Sequence, residues 1–332
     1  MTDVARAAGV SKTLVSIVFR EAPGASAETR ARVLAAAAQI GYVPDERARM
    51  LRSRKSTDVG VMFSTQQPLH HDLLDGLYTA TSGSRHNLIL SAVSETRTQD
   101  EAILSLLAFR CGAIIALAPR MTDKHLLALT QDVPVVCVSR PAQAPRLDWV
   151  TSDDAGGIRQ AVRHLVALGH QRITFLSSPT DCGSPERESG FLAAVHAAGV
   201  TGTVLAAGQT GPHGARAAAQ ILDSPEPRPT ALIAFNDRCA KGAMDMIVQR
   251  GLSVPRDMSI VGFDDSEVAQ RDYVLLTTVR QDTAKIARFA AERALQRIAG
   301  IYLESQPDGL LVPTRLIVRA TTGPPETVGV HA

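Results

Sequence analysis

Apolar positions recur at helical spacing over residues 1–43, with no alternating strand pattern. The pattern predicts a short helix over residues 2–8 that Gly9 ends, because glycine takes the left-handed conformation of a tight turn. Ser11 then stands where an N-cap belongs, opening a second helix over residues 12–19. A third helix starts near Ser26 and runs to Gly41, with Val33, Leu34, Ala37 and Ile40 as the stripe that closes a three-helix core. Ala5, Gly9, Val15 and Val18 fall at the spacings of a helix-turn-helix: a small residue for close approach, a glycine at the turn, and β-branched residues in the wedge.

From residue 59 the texture changes. Short apolar, β-branched runs at residues 59–63, 88–93, 113–117, 133–138, 172–176, 231–235 and 259–263 alternate with longer amphipathic stretches. Buried runs of this length separated by helices predict parallel α/β units. Two such series, each about the size one core can organise, predict two doubly wound lobes. The chain therefore reads as an α/β protein: a three-helix head at residues 1–43, a connector at 44–57, a two-lobed body at 58–323 and a frayed tail at 324–332.

The composition, 45% hydrophobic and 20% charged over 332 residues, is that of an ordinary globular chain. The net charge of +2 conceals a split. Residues 1–57 hold ten Lys and Arg against five Asp and Glu, while the remainder is slightly acidic. A basic head on an acidic body points to a polyanionic partner for the head. Cys111, Cys137, Cys182 and Cys239 are irregularly spaced, which fits buried thiols in a reducing compartment and neither a disulfide frame nor a zinc site. No apolar run reaches the ~20 residues of a membrane span, and the N-terminus has no signal-peptide core, so the expectation is a cytoplasmic protein.

Residues 2–16 (Thr-Asp-Val-Ala-Arg-Ala-Ala-Gly-Val-Ser-Lys-Thr-Leu-Val-Ser), Ser26-x-Glu28-Thr29-Arg30-x-Arg32-Val33-Leu34 and Gly41-Tyr42-Val43-Pro44 resemble the lactose-repressor/galactose-repressor family of bacterial transcription regulators. The resemblance covers nearly the whole chain. Gly169-His170-x-Arg172-Ile173, Asn236-Asp237, Gly262-Phe263-Asp264-Asp265, Thr277-Thr278-Val279-Arg280-Gln281 and Val318-Arg319-x-x-Thr322-Gly323-Pro324 stand in the family's order.

The resemblance implies that the second helix lies in the major groove of operator DNA. It places Lys12 and Thr13 at base edges and Ser11 and Ser16 near phosphates. Ile17 stands where the family usually has a base-contacting arginine, suited to a thymine methyl, and Arg20 replaces a common asparagine, suited to a phosphate. The operator is therefore expected to differ from the usual consensus. The basic connector resembles the family's hinge helix, which folds on DNA. That places Ala48 and Leu51 at hinge positions, with Leu51 as a minor-groove wedge and Arg47 and Arg52 on phosphates. A solvated basic linker is the alternative.

Two parallel α/β lobes bind ligands at the C-terminal ends of their strands. Arg187, Asn236 and Asp264 match the family's effector-holding residues, with Gln281 nearby and Leu69 and His70 presented by the loop after the first strand. A carboxylate, an amide and a guanidinium suit vicinal hydroxyls, each of which donates and accepts. Asp237 and Asp265 are expected as helix N-caps. The segment after Gly208 lacks the family's stacking aromatic and the chain is only 4% aromatic, leaving His213 and Trp149 as candidates for that place. A sugar or related polyol is the expected effector, with a nucleoside-like ligand as the alternative. No cofactor is implied, and His70 and His71 lack a third ligand for a metal.

The resulting expectation is a ligand-responsive transcription regulator that binds a pseudo-palindromic operator as a homodimer, the absence of a leucine heptad in the tail arguing against a tetramer. A solute-binding protein of an uptake system, which shares the periplasmic-binding-protein-like two-lobed body, is the alternative. It lacks support from an export signal and does not explain the head. An enzyme is not expected: no GxGxxG follows residues 59–63, and neither GxxxxGK[ST] nor GxSxG occurs.

Overall fold

A computed structural model describes residues 1–19, 22–42, 57–144, 146–301 and 309–326. The chain divides into two compact units, Met1–Ser56 and Thr57–Ala332.

The first unit is a three-helix head of α1 (Thr2–Ala8), α2 (Lys12–Phe19) and α3 (Ala27–Gln39). Gly9 ends α1 at φ 63°, and the Ser11 hydroxyl accepts the Leu14 amide at 3.1 Å to start α2. Ser26 caps α3 by accepting the Thr29 amide at 3.2 Å. The core consists of Val4, Ala5 and Ala8 of α1, Val15 and Val18 of α2, and Val33, Ala36 and Ala37 of α3. Two members of the predicted α3 stripe are wrong, since Leu34 and Ile40 remain 52% and 45% exposed. The inward face runs through positions 33, 36 and 37, one turn apart, and small residues there let α1 approach. Leu34 lies about 100° round the helix from Val33, and Ile40 is the C-cap, beyond the last helical turn.

The second unit contains two six-stranded sheets. The first holds β1 (Val59–Ser64), β2 (Leu88–Val93), β3 (Ala113–Leu117), β4 (Val135–Val138), β5 (Leu147–Ser152) and β11 (Gly309–Val312), all parallel, in the order β11-β5-β4-β3-β1-β2. The second holds β6 (Arg172–Ser177), β7 (Thr201–Ala206), β8 (Ala231–Ala234), β9 (Ser259–Asp264), β10 (Thr277–Arg280) and β12 (Arg315–Ile317), in the order β12-β10-β9-β8-β6-β7, with β12 antiparallel to β10. Each order reverses direction, at β1/β3 and at β6/β8, which opens a crevice beyond the strand ends.

All seven apolar runs are strands. The run at 133–138 shortens to begin at Val135, because Pro134 has no amide to give the ladder. β5, β7, β10, β11 and β12 fall outside those runs, β11 because its apolar stretch Leu310–Val312 is only three residues long. Edge strand β7 is half exposed, and β10 buries Thr277 and Thr278 through side-chain hydrogen bonds. The lobes are also not contiguous in sequence. After β10 the chain returns as helix Thr283–Ile298, whose Ile286, Ala287, Ala290, Ala291 and Ala294 join the core under the first sheet. That helix packs on helix Pro68–Thr81, where a Cβ at Gly76 would lie 2.6 Å from the Ala287 methyl, so glycine is needed for the approach. The chain passes between lobes after β5, after β10 and between β11 and β12. Of the expected frayed tail, residues 327–332 lie outside the described residues, while Glu326 pairs with Arg256 at 3.3 Å.

Among the described residues, no helix is long and apolar enough to cross a membrane. All four cysteines are free thiols, three of them buried and Cys182 half-buried.

Candidate functional site

A cavity of about 600 Å³ lies between the two sheets of the second unit, lined by residues at the C-terminal ends of strands from both. Asp264 is the last residue of β9 and sits at φ 112°, a conformation a non-glycine residue holds only under constraint. Its Oδ1 accepts from Gln281 Nε2 at 2.7 Å, and Gln281 Oε1 accepts from Ser152 Oγ at 2.5 Å. Gln281 and Ser152 sit at two of the crossings between lobes. This hydrogen-bonded chain therefore ties a carboxylate of one lobe to the strand end of the other.

Arg187 is in the first turn of helix Ser184–Ala198 and is buried. Its Nε donates to Asp154 Oδ1 at 3.1 Å and its Nη1 to the Phe235 carbonyl at 2.6 Å, with the guanidinium carbon 3.7 Å from the Phe263 ring centre. The ion-pair partner Asp154 was missed in the sequence because β5, which delivers it, carries Asp148 and Thr151 within a mixed run. A second acidic residue directly after a predicted β5 would have been the signal.

Asn236 caps helix Asp237–Gln249, its side-chain oxygen accepting the Cys239 amide at 2.9 Å. Its amide NH₂ is what it has left to offer the cleft. The expected capping role of Asp237 is therefore wrong. Asp237 is buried one residue further in, accepting from Ser266 N (2.7 Å), Ser266 Oγ (2.9 Å) and Thr278 Oγ1 (2.5 Å). Asp265 is not a cap either. Its carboxylate is clamped by Arg280 Nε at 2.5 Å and Arg319 Nη2 at 2.6 Å, and Ser266 takes the cap position of the following helical turn.

Leu69 and His70 line the cavity, but from the first turn of helix Pro68–Thr81 rather than from a loop, because Pro68 suits a first helical position. His70 Nδ1 accepts the Ser64 amide at 2.9 Å, and burial pushes its pKa down to about 4, so the ring is neutral. His71 is exposed, and the described residues contain no group of three or more His, Cys, Asp or Glu that could hold a metal ion. Neither His213 nor Trp149 lines the cavity; Phe235 does, on one side of the Arg187 guanidinium.

Burial dominates the electrostatics. It raises the Asp154 pKa to about 6 against the pull of Arg187, and it raises Asp264 and Asp237, with Asp264 raising Asp237 further. The two lobes also touch across the cleft through Arg120 Nη2–Asp181 Oδ1 at 2.6 Å and through Gln67 with Gln209.

In the head, Ser11, Lys12 and Thr13 are exposed at the start of α2, and Ser16 and Ile17 are half-buried further along it. Arg20, Arg47, Ala48, Leu51 and Arg52 lie outside the described residues.

Residues 1–45 match the model of bacterial regulatory proteins of the lacI family, and residues 162–322 match that of the periplasmic binding protein-like domain. The HTH-type transcriptional regulator GalS of Salmonella typhimurium is 32% identical over 90% of this chain and 89% of its own. Among solved structures, a LacI transcriptional regulator from a Rhodococcus species is 39% identical, with a TM-score of 0.76 over 80% of this chain and 98% of that one. The lac repressor dimer bound to operator and the anti-inducer ONPF is 28% identical, with a TM-score of 0.82 over 97% and 98%. With a helix-turn-helix head and a two-lobed α/β body aligned along nearly their whole length with such regulators, the chain belongs to the lacI family of bacterial transcription regulators.

Proposed function

We propose that this regulator binds a pseudo-palindromic operator as a homodimer and answers to a sugar or related polyol held between its lobes. The carrying observation is the cluster of Asp264, Gln281, Asp154 and Asn236 at strand ends, with Arg187 from the first turn of a helix, all lining the cavity. Such a set presents carboxylate acceptors, a guanidinium and an amide to neighbouring hydroxyls. Arg187 is neutralised by Asp154, so the cluster offers no spare positive charge for an anionic ligand. Leu69, His70 and Phe235 supply the apolar wall.

The head reads DNA through Ser11, Lys12, Thr13, Ser16 and Ile17, all on or beside α2. That it does so as a dimer is supported by the likeness to the dimeric, operator-bound lac repressor. Residues 44–57 enter on the sequence alone, as a hinge with Ala48, Leu51, Arg47 and Arg52 on DNA and Arg20 on a phosphate. Effector binding changes the lobe arrangement through the Asp264–Gln281–Ser152 chain, a coupling typically worth ~1–3 kcal/mol.

The test is Asp264→Asn, which keeps the shape and the tolerance of positive φ but removes the charge. Loss of a hydrogen bond to a charged group, ~1.5–3 kcal/mol, predicts at least a tenfold drop in effector affinity with operator affinity unchanged in the absence of effector. An unchanged response of operator binding to effector would remove Asp264 from the site.

A further inference from the structure

The cavity is longer than the cluster it contains. Thr151 of β5, Ser139 after β4, Leu117 of β3, Ser64 of β1 and Val93 of β2 all line it, so it follows five neighbouring strand ends of the first sheet. At a spacing of about 4.8 Å, the four intervals from β5 to β2 make a run of ~19 Å. The Asp264–Gln281–Ser152 chain occupies the β5 end, beside the crossings. A pyranose ring is about as wide as one strand interval, so a ring held there leaves the β1–β2 end empty.

Volume gives the same answer. At about 30 Å³ per water, 600 Å³ is the room of about twenty waters. A hexose has about a dozen non-hydrogen atoms, none of which takes the room of a whole water, so one ring fills well under two thirds of the space. The unfilled end is polar. Gln66 Nε2 donates to Glu95 Oε1 at 3.0 Å, leaving the other carboxylate oxygen of Glu95 to accept, and Gln67 meets Gln209 of the second lobe across the cleft. β2 and β7, which deliver Glu95 and Gln209, are the strands of the two sheets farthest from the crossings. The cavity thus has two hydrogen-bonding ends, built from different strand ends.

Building on the sugar reading above, we propose that the effector is a two-ring glycoside. Its first ring lies against Asp264 and Arg187, and its second lies between Glu95 and Gln209. These two residues set the preference for two rings over one.

The experiment titrates the full chain calorimetrically with D-glucose, D-galactose and D-xylose, with cellobiose, lactose, maltose and xylobiose, and with adenosine. The best disaccharide is expected to bind at least tenfold more tightly than its own monosaccharide. Glu95→Ala and Gln209→Ala each bring that ratio toward one, whereas Asp264→Asn weakens both members of the pair. A ratio near one in the unaltered protein, or a ratio that survives both Glu95→Ala and Gln209→Ala, overturns the two-ring inference and leaves the sugar reading standing. Binding of adenosine alone, or of no saccharide, overturns the sugar reading and the inference with it.

Discussion

Asp264 and Arg187 were legible as individual residues because one ends a strand and the other lies at the start of a helix, each in a recognisable motif. Their environment was not. Burial raises the pKa of Asp154 to about 6 and also raises those of Asp237 and Asp264. The consequence is a pH dependence of effector binding. Hydroxyls donate to ionised carboxylates, so binding favours the deprotonated cleft, and the free protein must shed a proton wherever its carboxylates are still partly protonated. Affinity should therefore fall as pH drops through the raised values of Asp154 and Asp264 and level off above them, with net proton release at about pH 6 that vanishes toward about pH 8. Calorimetry in two buffers of different ionisation enthalpy measures this directly, and proton uptake at the lower pH would contradict it. His70, buried and already neutral, adds nothing to that dependence.

At the scale of elements, the head shows how far local chemistry reaches. Gly9, Ser11 and Ser26 mark turn and helix starts in the sequence, and each does so in the structure. The α3 stripe failed at Leu34 and Ile40 because helical spacing gives a face about 100° wide, and only the partner helices decide which edge of it is buried. Ser26→Ala removes the hydroxyl that accepts the Thr29 amide and should cost ~1 kcal/mol of α3 stability. Hydrogen exchange of the first-turn amides of α3 in the full chain should then quicken about fivefold, with amides of the body unaffected. Unchanged exchange would mean the cap contributes nothing. In the body, the strands that escaped the pattern are three edge strands, β7, β11 and β12, together with β5, interrupted by Asp148 and Thr151, and β10, held by Thr277 and Thr278 hydrogen bonds; in these hydropathy gives little signal.

For the whole molecule, the proposed homodimer predicts a sedimentation mass near twice the 35.3 kDa of the chain at working concentration. A mass near four chains would contradict the proposed homodimer. A wedge at Leu51 predicts that Leu51→Ala weakens binding to the selected operator far more than to random duplex of the same length, since unstacking repays its cost only where the site bends readily. Equal losses on both duplexes would make residues 44–57 a plain basic linker, whose contribution is counterion release alone.

The sequence by itself determined the order and type of most elements, the helix-turn-helix and the family. Those depend on local periodicity, capping and motifs that stand together in the chain. It also singled out Arg187, Asn236 and Asp264 as candidates, which the structure places along one cavity. Tertiary structure decided the rest: that Asn236 rather than Asp237 caps its helix, that Asp265 is held by two arginines, and that Asp154 neutralises Arg187. It also decided that helix Thr283–Ile298 and β11 belong to the first lobe. The first three turn on which groups, distant in sequence, share a buried space where a charge must find a partner, and the last on which apolar faces and strand edges meet.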